Sequence, residues 1–207
     1  MADTVSIRDR ILDAAEARMV RHGFAATTVD AVLADAKASK GAFFHHFPSK
    51  VHLGRALVQR YADADLEALE ASMSHAETLS DDPAEQLVAF LGHWARTATG
   101  ILETQPGCLF IGFIYEQGID DDETDRILRH AVECWRRRIA EKLERAATNR
   151  PQLAAIDIEA LADHVFTTFE GGFLLAGATG DDQALSRQLD IVRHLVAQLL
   201  EVPIDVA

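Results

Sequence analysis

The sequence predicts an all-α fold on three observations. Apolar residues recur with helical spacing along nearly all of the 207 residues, and no run alternates in the way that a strand or a hairpin requires. Aromatic residues make up only 7% of the chain, while alanine is abundant, and this composition favours helices. The chain also contains no internal repeat and no low-complexity segment. The helix start and stop signals along the chain predict about nine helices.

The first helix is predicted to start at a capping box and to end at a glycine. Ser6 and Asp9 stand three residues apart, as in the box that satisfies the free amides at a helix start. The helix has one apolar face, which comprises Ile7, Ile11, Leu12, Ala15 and Met19. We expect the helix to end at residues 22–23, His-Gly.

Two short helices are predicted next, joined by a three-residue turn. Thr27 with Asp30 forms a second capping box, and the helix that follows spans about two turns. After the turn at 37–39, Ser39 caps a third segment, which Pro48 stops. This spacing matches the helix-turn-helix arrangement, whose second helix enters the major groove of DNA. A generic helical hairpin has the same spacing, so the spacing alone leaves both interpretations open.

The remainder of the chain is predicted to form six further helices. The clearest start is Asp82 followed by Pro83, a capping acid before a proline at the first helical position. The helices are predicted over about 50–75, from 83 to the break at 105–107, over about 108–117, from the acidic cluster 120–125 to the stop at 149–151, and over about 157–177 and 182–201.

The net charge of −13 argues against a nucleic-acid partner when the chain is taken as a whole, because phosphates require a positive surface. The charge is unevenly distributed. Residues 1–52 carry seven Lys and Arg against six Asp and Glu, so the acidity belongs to the remaining residues. An acidic body repels DNA and leaves the N-terminal end as the surface that approaches it.

Residues 22–53, HGFAATTVDAVLADAKASKGAFFHHFPSKVHL, decide between the two interpretations of the turn. They contain a Gly-Phe pair, a Thr-Thr pair at a helix start, Ser-Lys-Gly, an aromatic pair, His-Phe and Ser-Lys at the next helix start. This string resembles the tetracycline-repressor (TetR) family of bacterial transcriptional regulators. The later helices fit the ligand-binding and dimerisation domain of that family.

The resemblance implies a helix-turn-helix DNA-binding domain over residues 1–52, followed by a helical-bundle domain for effector binding and dimerisation over 53–207. It implies that the DNA contacts come from the two short helices, the turn and the next helix start. The residues concerned are Thr27, Thr28, Lys37, Ser39, Lys40, Gly41, Phe43, Phe44, His45, His46 and Lys50. Phe47 would anchor the recognition helix in the core.

The sequence departs from the family pattern at two of these positions. Lys37 stands where glycine is common, so a left-handed conformation there is expected to be slightly strained for lysine. The alternative is that Lys37 adds a phosphate contact. Phe44 stands where tyrosine is usual, so the hydroxyl that would reach a phosphate is missing. We expect His45 and His46 to provide more of the polar contact.

The function implied is that of a ligand-responsive repressor. A homodimer would bind a palindromic DNA operator and be released by a small, fairly apolar effector. No cofactor is expected, and the nine histidines include no pair at the i, i+4 spacing of a helical zinc site. Two cysteines, no signal-peptide pattern and no long apolar run lead us to expect a cytoplasmic protein without membrane contact.

The effector pocket is predicted from aromatic residues and a few polar groups on the bundle helices. The candidates are His93, Trp94, Cys108, Phe110, Phe113, Tyr115, Trp135, Phe166, Phe169 and Glu170. Cys108 follows a glycine at a predicted helix start, where the dipole increases thiol reactivity, and it resembles a Gly-Cys-Leu element in an electrophile-responsive branch of the family. An inert, buried cysteine is the alternative.

The last two predicted helices have wide apolar faces. We expect the pair to pack against the same pair of a second copy and form a four-helix dimer interface. The candidate interface residues are Phe173, Leu174, Leu185, Leu189, Val192, Val196 and Leu199. The alternative is that both helices cover the core of their own chain.

A helical enzyme is the alternative from another functional class. Residues 121–125, DDETD, match the Asp-rich motif by which terpenoid synthases hold magnesium, but no second metal motif accompanies them. We favour the simpler interpretation, which is that these are acids at a helix start. No Ser-His-Asp, Walker or Gly-rich signature indicates another catalytic route, so we expect no enzymatic activity.

The adjacent histidines of the recognition helix give a testable expectation. If His45 and His46 contact the phosphates in their protonated form, DNA affinity falls as pH rises, because the neutral rings lose their attraction for the phosphates. Operator binding measured at two pH values and fixed salt tests this, and equal affinities would contradict it.

Overall fold

The computed structural model describes residues 6–104, 108–115 and 121–204, which are predominantly helical and contain no strand. The helices are α1 (Ile7–Ala26), α2 (Val29–Ala36), α3 (Lys40–His46), α4 (Lys50–Leu79), α5 (Pro83–Thr104), α6 (Leu109–Tyr115), α7 (Asp122–Ala147), α8 (Ile158–Thr179) and α9 (Ala184–Leu200), with a 3₁₀ helix at Pro151–Ala155. The predicted all-α fold is confirmed. The 3₁₀ helix was not predicted, and α4 is one turn longer than its pattern indicated.

The chain divides into two compact units. The first unit comprises the described residues of 1–64 and 108–130, and the second comprises those of 65–107 and 131–207. The first unit therefore adds α6 and the start of α7 to the N-terminal helices. The functional boundary at residue 52 stays a prediction.

In the first unit, α1, α2 and α3 pack against one another around a small apolar core. Their buried side chains include Ile11, Leu12, Ala15, Met19, Val32, Leu33, Phe43 and Phe47. The first capping box is confirmed, since Ser6 accepts a hydrogen bond from the Asp9 amide at 3.1 Å. Ile7, which was predicted to lie on the inner face, is exposed because it precedes the first turn that contacts the core.

The second capping box is wrong by one residue. Thr28, not Thr27, caps α2, and its hydroxyl accepts from the Ala31 amide at 3.2 Å. Thr27 ends α1 instead, since its amide donates to the Phe24 carbonyl. Gly23 has φ of 80°, and this left-handed break inside α1 explains why the sequence placed the helix end there.

Helix α6 packs against α1 and against the N-terminal half of α4 through aromatic rings. Phe113 lies 5.7 Å from Phe24, and Phe110 lies 4.8 Å from Tyr61 in an edge-to-face arrangement. Gly54 makes room for this contact, because a Cβ at that position would come within 2.7 Å of the Phe24 ring. These contacts explain why α6 groups with the N-terminal helices.

An ion pair also joins the two chain segments, 1–64 and 108–130, that make up the first unit. Arg55 on α4 donates from Nε to Asp121 at 2.9 Å and from its terminal nitrogen to the other carboxylate oxygen. Asp121 also accepts from the Thr124 amide at 3.0 Å, so it caps α7. The hydrogen bonds from Arg55 hold the pKa of Asp121 well below its usual range.

The second unit encloses a larger apolar core, whose centre is an aromatic cluster of Phe90, Trp94, Trp135 and Phe169. The rings of Trp94, Trp135 and Phe169 lie 5.3 to 5.6 Å apart in tilted or edge-to-face pairs. Trp135 donates its indole N–H to the half-buried Asp65 of α4 at 2.6 Å. Burial raises the pKa of Asp65 to about 6, and this hydrogen bond opposes the rise.

A buried lysine joins three helices of the same unit. Lys142 on α7 is 1% exposed and donates to Glu77 on α4 at 2.6 Å and to Gln86 on α5 at 2.7 Å. The bond from Lys142 lowers the pKa of Glu77. Removing either acceptor would leave a buried ammonium underbonded, so both contacts are needed to offset the burial of this charge.

The raised pKa of Asp65 predicts a pH-dependent stability. A folded-state pKa above the unfolded value means that the folded state binds the proton more tightly, so ionised Asp65 destabilises the fold as pH rises from about 4 to above 6. Asp65→Asn keeps the acceptor for Trp135 without the charge. We expect it to raise the free energy of unfolding by about 2 kcal/mol at pH 8 and by little at pH 4.

Urea unfolding at the two pH values measures this difference. Asp63→Asn, an exposed carboxyl two residues earlier on the same helix, is the matched control and should change stability little at either pH. A destabilised Asp65→Asn at pH 8 would contradict the assignment.

Candidate nucleic-acid interface

The turn between α2 and α3 has the geometry that the sequence indicated. Lys37 ends α2 in the left-handed region, with φ 50° and ψ 47°, and the Ala38 amide bonds back to the Leu33 carbonyl at 3.0 Å. The predicted strained lysine is therefore confirmed, at a cost on the order of 1 kcal/mol relative to glycine. Ser39 begins α3 by accepting from the Ala42 amide at 3.1 Å.

The two phenylalanines of α3 differ in their exposure to solvent. Phe43 is fully buried, whereas Phe44 is exposed. The prediction that Phe43 presents a DNA-facing surface is wrong, since its ring packs 5.7 Å from Phe47 in the core. Phe44 is 58% exposed. His45 and His46 are also exposed, with ring centres 4.9 Å apart.

The start of α3 presents exposed polar groups. Ser39, Lys40 and Gly41 are all exposed. Lys40 lies 2.9 Å from Asp30 on α2, but both side chains are about 70% exposed, so the pair contributes little and exchanges readily for another anion. No acidic residue lies on α3. This helix face therefore accommodates an anionic partner.

The two threonines before α2 have different roles. Thr27 is 3% exposed and donates its hydroxyl to the Gly23 carbonyl at 2.7 Å, so its hydroxyl is used inside the protein. This placement corrects the prediction that Thr27 offers a hydroxyl to a phosphate. Thr28 is exposed at the N-terminus of α2, where free amides attract anions.

Lys50 is half-buried at the start of α4. Its ammonium donates to the Ala25 carbonyl at 3.2 Å and lies 4.3 Å above the Phe24 ring. These contacts tie the start of α4 to the end of α1. The phosphate contact expected of Lys50 stays a prediction.

The predicted effector residues fall into two groups. Trp94, Trp135 and Phe169 belong to the aromatic cluster of the second unit, with Phe166 packed at the edge of the same core. His93 lies beside Trp94 on α5, and burial, with the charges of Arg96 and His75, lowers the pKa of His93. Glu170 is half-buried on α8.

The remaining effector candidates belong to the first unit. Phe110 and Phe113 are buried there against Tyr61 and Phe24, so they form part of that unit's core. Cys108 is partly exposed and directly precedes α6. Its reactivity stays a prediction. The side chain of Tyr115 lies outside the described residues.

Sequence reasoning left two residues out of the predicted pocket: Phe90, which is a member of the aromatic cluster, and Asp65, which accepts a hydrogen bond from Trp135. It also missed a groove of about 390 Å³ between α7 and α8, which is lined mainly by charged side chains, including Glu133, Arg137 and Glu159. Arg136 in this groove forms a two-pronged pair with Asp163. The charged lining differs from the apolar pocket that the sequence suggested.

The predicted dimer interface requires a correction. Leu185, Leu189, Val192 and Val196 are buried in the chain's own core, where α9 packs against α5 and α8. They are therefore not available to a partner. Phe173 and Leu199 are partly buried against the same core, while Leu174 is exposed. The exposed large apolar residues of α8 and α9 are Leu174, Leu175, Ile191 and Leu195.

The described residues contain neither a cluster suited to a metal ion nor a helix suited to a membrane. No three His, Cys, Asp or Glu side chains within the described ranges lie close enough together to hold a metal ion. Among the helices that the structure describes, none has the length and hydropathy of a membrane span. Asp121, the first described member of the acidic cluster, is held by Arg55 and Thr124. Asp120 lies outside the described residues.

Comparisons with known proteins agree with this geometry. Residues 11–57 match the profile of bacterial regulatory proteins of the tetR family, and residues 83–192 match the tetracyclin repressor-like C-terminal domain. The chain is 27% identical over 158 residues to the transcriptional regulator AcuR of Cereibacter sphaeroides, covering 76% of this chain and 70% of that protein.

A second relative and a solved structure extend the match. The HTH-type transcriptional repressor AcnR of Corynebacterium diphtheriae is 26% identical over 197 residues, covering 91% of this chain and 90% of that protein. The crystal structure of a TetR-family regulator from Agrobacterium tumefaciens shares the fold, with a TM-score of 0.72, 23% identity, and coverage of 91% of this chain and 96% of that one. The two profile matches and the helix-turn-helix geometry show that this chain belongs to the tetR family of bacterial transcriptional regulators.

Proposed function

We propose that this chain is a homodimeric, ligand-responsive repressor whose helix α3 enters the major groove of an operator. The observation that carries the proposal is the exposed face of α3, which presents a lysine, a glycine, an aromatic ring and two histidines with no acid among them. The proposed DNA contacts come from Thr28, Lys37, Ser39, Lys40, Gly41, Phe44, His45, His46 and Lys50. Because the chromosome is its target, we place the protein in the bacterial cytoplasm.

Dimerisation is proposed through the exposed apolar residues of α8 and α9. Leu174 is 67% exposed and Ile191 is 58% exposed, with Leu175 and Leu195 nearby on the same two helices. Exposed leucines and isoleucines on adjacent helices are typical of an interface with a second copy. A two-fold dimer places two α3 helices about 34 Å apart, in successive major grooves of a palindrome.

An effector is proposed to bind the helical bundle and to favour a dimer in which the two α3 helices no longer match this spacing. The aromatic cluster of the second unit supports a small, fairly apolar effector. Release from DNA then requires that the effector binds the two arrangements with different affinity.

We infer that the protein is not an enzyme and that its acidic cluster serves the start of α7. Asp121 caps that helix and pairs with Arg55. Acids at a helix N-terminus also interact favourably with the helix dipole.

Lys40→Ala tests the DNA interface. Loss of one phosphate contact per subunit should weaken binding to all DNA sequences and reduce the slope of log affinity against log salt by about 2 for the dimer. The operator is first isolated by footprinting bound sites on genomic DNA, and affinity is then measured by fluorescence anisotropy at several salt concentrations.

Arg126→Ala is the matched control, because Arg126 is an exposed cation on α7 that is not among the proposed DNA contacts. It should bind the operator as the wild type does. A wild-type protein that selects no DNA sequence would contradict the proposed function, and an unchanged salt slope in Lys40→Ala would contradict the role of that residue.

The double variant Leu174→Glu with Ile191→Glu tests the dimer. Both side chains are exposed in the single chain, so the variant should retain its helical circular dichroism while sedimenting as a monomer and binding the operator weakly. Ile114→Glu, which changes an equally exposed isoleucine on α6, is the control and should stay dimeric. A dimeric double variant would rule out this face.

A further inference from the structure

Phe44 is an apolar side chain that is exposed to solvent. Its ring is 58% exposed, whereas the two other phenylalanines around α3, Phe43 and Phe47, are 0% and 2% exposed. Leaving an aromatic ring in water costs free energy that burial against an apolar partner recovers. Core packing therefore does not explain a phenylalanine at this position.

The ring is also held in a defined orientation. It stands edge-on to Phe43, with centroids 5.2 Å apart and an angle of 87° between the planes. Phe43 is itself fixed by the core, so Phe44 has an immobile support on one side. Binding to a partner therefore costs little side-chain entropy.

The position of Phe44 on α3 places it beside the surface that approaches DNA. Lys40 and Gly41 precede it by four and three residues, and side chains at these spacings share one helix face. A Cβ built on Gly41 meets only the Ser39 hydroxyl, at 3.9 Å, so the space over this turn is open. A partner can therefore come close to the backbone next to the ring.

The chemistry of the major groove limits what a phenyl ring can contact there. Phenylalanine has no donor or acceptor, so it gains nothing from the polar base edges that identify guanine, cytosine and adenine. Thymine alone presents an apolar group on its groove edge, the 5-methyl. We propose that Phe44 is a specificity-determining residue that packs on the methyl group of a thymine in each operator half-site.

This inference rests on the proposed function, since it requires that α3 enters the major groove. Burial of one methyl group is worth about a fourfold change in affinity for each half-site. The two half-sites together give about a fifteenfold change for the dimer.

The experiment replaces thymine by uracil, which removes only the methyl group. Each thymine of the footprinted operator, with its symmetry mate, is exchanged in turn, and the affinity of the full-length dimer is measured at fixed salt. We expect one symmetric pair of positions at which uracil weakens wild-type binding by about fifteenfold. Thymine-to-uracil exchange elsewhere should have little effect.

Variants at position 44 assign the effect to this side chain. Phe44→Ala should bind thymine and uracil operators equally, with an affinity no higher than that of the wild type for uracil DNA, while Phe44→Leu should still prefer thymine. Ile114→Ala, which truncates an equally exposed apolar residue on α6 outside the proposed DNA contacts, is the matched control and should keep the full preference. Since residue 44 is exposed, none of these variants should unfold.

Three results would overturn the inference. Uracil tolerated at every position by a wild type that binds its operator tightly would leave the proposed function intact and exclude methyl recognition. An unchanged thymine preference in Phe44→Ala would assign the methyl to another residue. Failure of the wild type to select any DNA sequence would overturn both the inference and the proposed function.

Discussion

The proposed DNA-facing surface depends on the burial of Phe43 and Phe47. Helix α3 has only seven residues, too few to be stable in water by its own hydrogen bonds. Its conformation is imposed by two rings in the core, by the Ser39 cap and by the left-handed Lys37 that ends the preceding helix. Because the buried rings fix the rotation of α3, they also determine which side chains point outward. A loss of Phe47 packing would therefore disorder every contact proposed for this helix.

Local signals explain what the sequence predicted well. The caps at Ser6, Ser39 and Asp82, and the left-handed Lys37, depend on residues within three or four positions, so they can be identified without tertiary structure. The error at Thr27 has the opposite cause. Two adjacent threonines both suit a helix start, and only the course of the chain after Gly23 decides which of them is buried.

The rotation of a helix about its axis is harder to predict, and the errors at Phe43 and in the dimer face are of this kind. Helix α9 is apolar on two sides, and the helical spacing of its apolar residues does not reveal which side packs against its own chain. Leu189 turned out to face the core and Ile191 the solvent. For Asp65 a signal existed, because Ala62 and Leu69 flank it at helical spacing and are both buried. Because aspartate is usually exposed, its residue type argues against the burial that this spacing indicates.

The charges of the N-terminal helices restrict how this protein binds DNA. Arg18 pairs with Asp35 on the next helix, Arg21 bonds to the carbonyl of its own helix and Lys50 bonds to Ala25, so several of the few cations already have partners. Lys40 has a partner too, but an exposed one that a phosphate can replace at little cost. With so little surplus positive charge, phosphate attraction alone supports weak binding to arbitrary DNA. In the proposed dimer, tight binding then has to come from base contacts and from two subunits acting together, so the small surplus of positive charge requires sequence specificity.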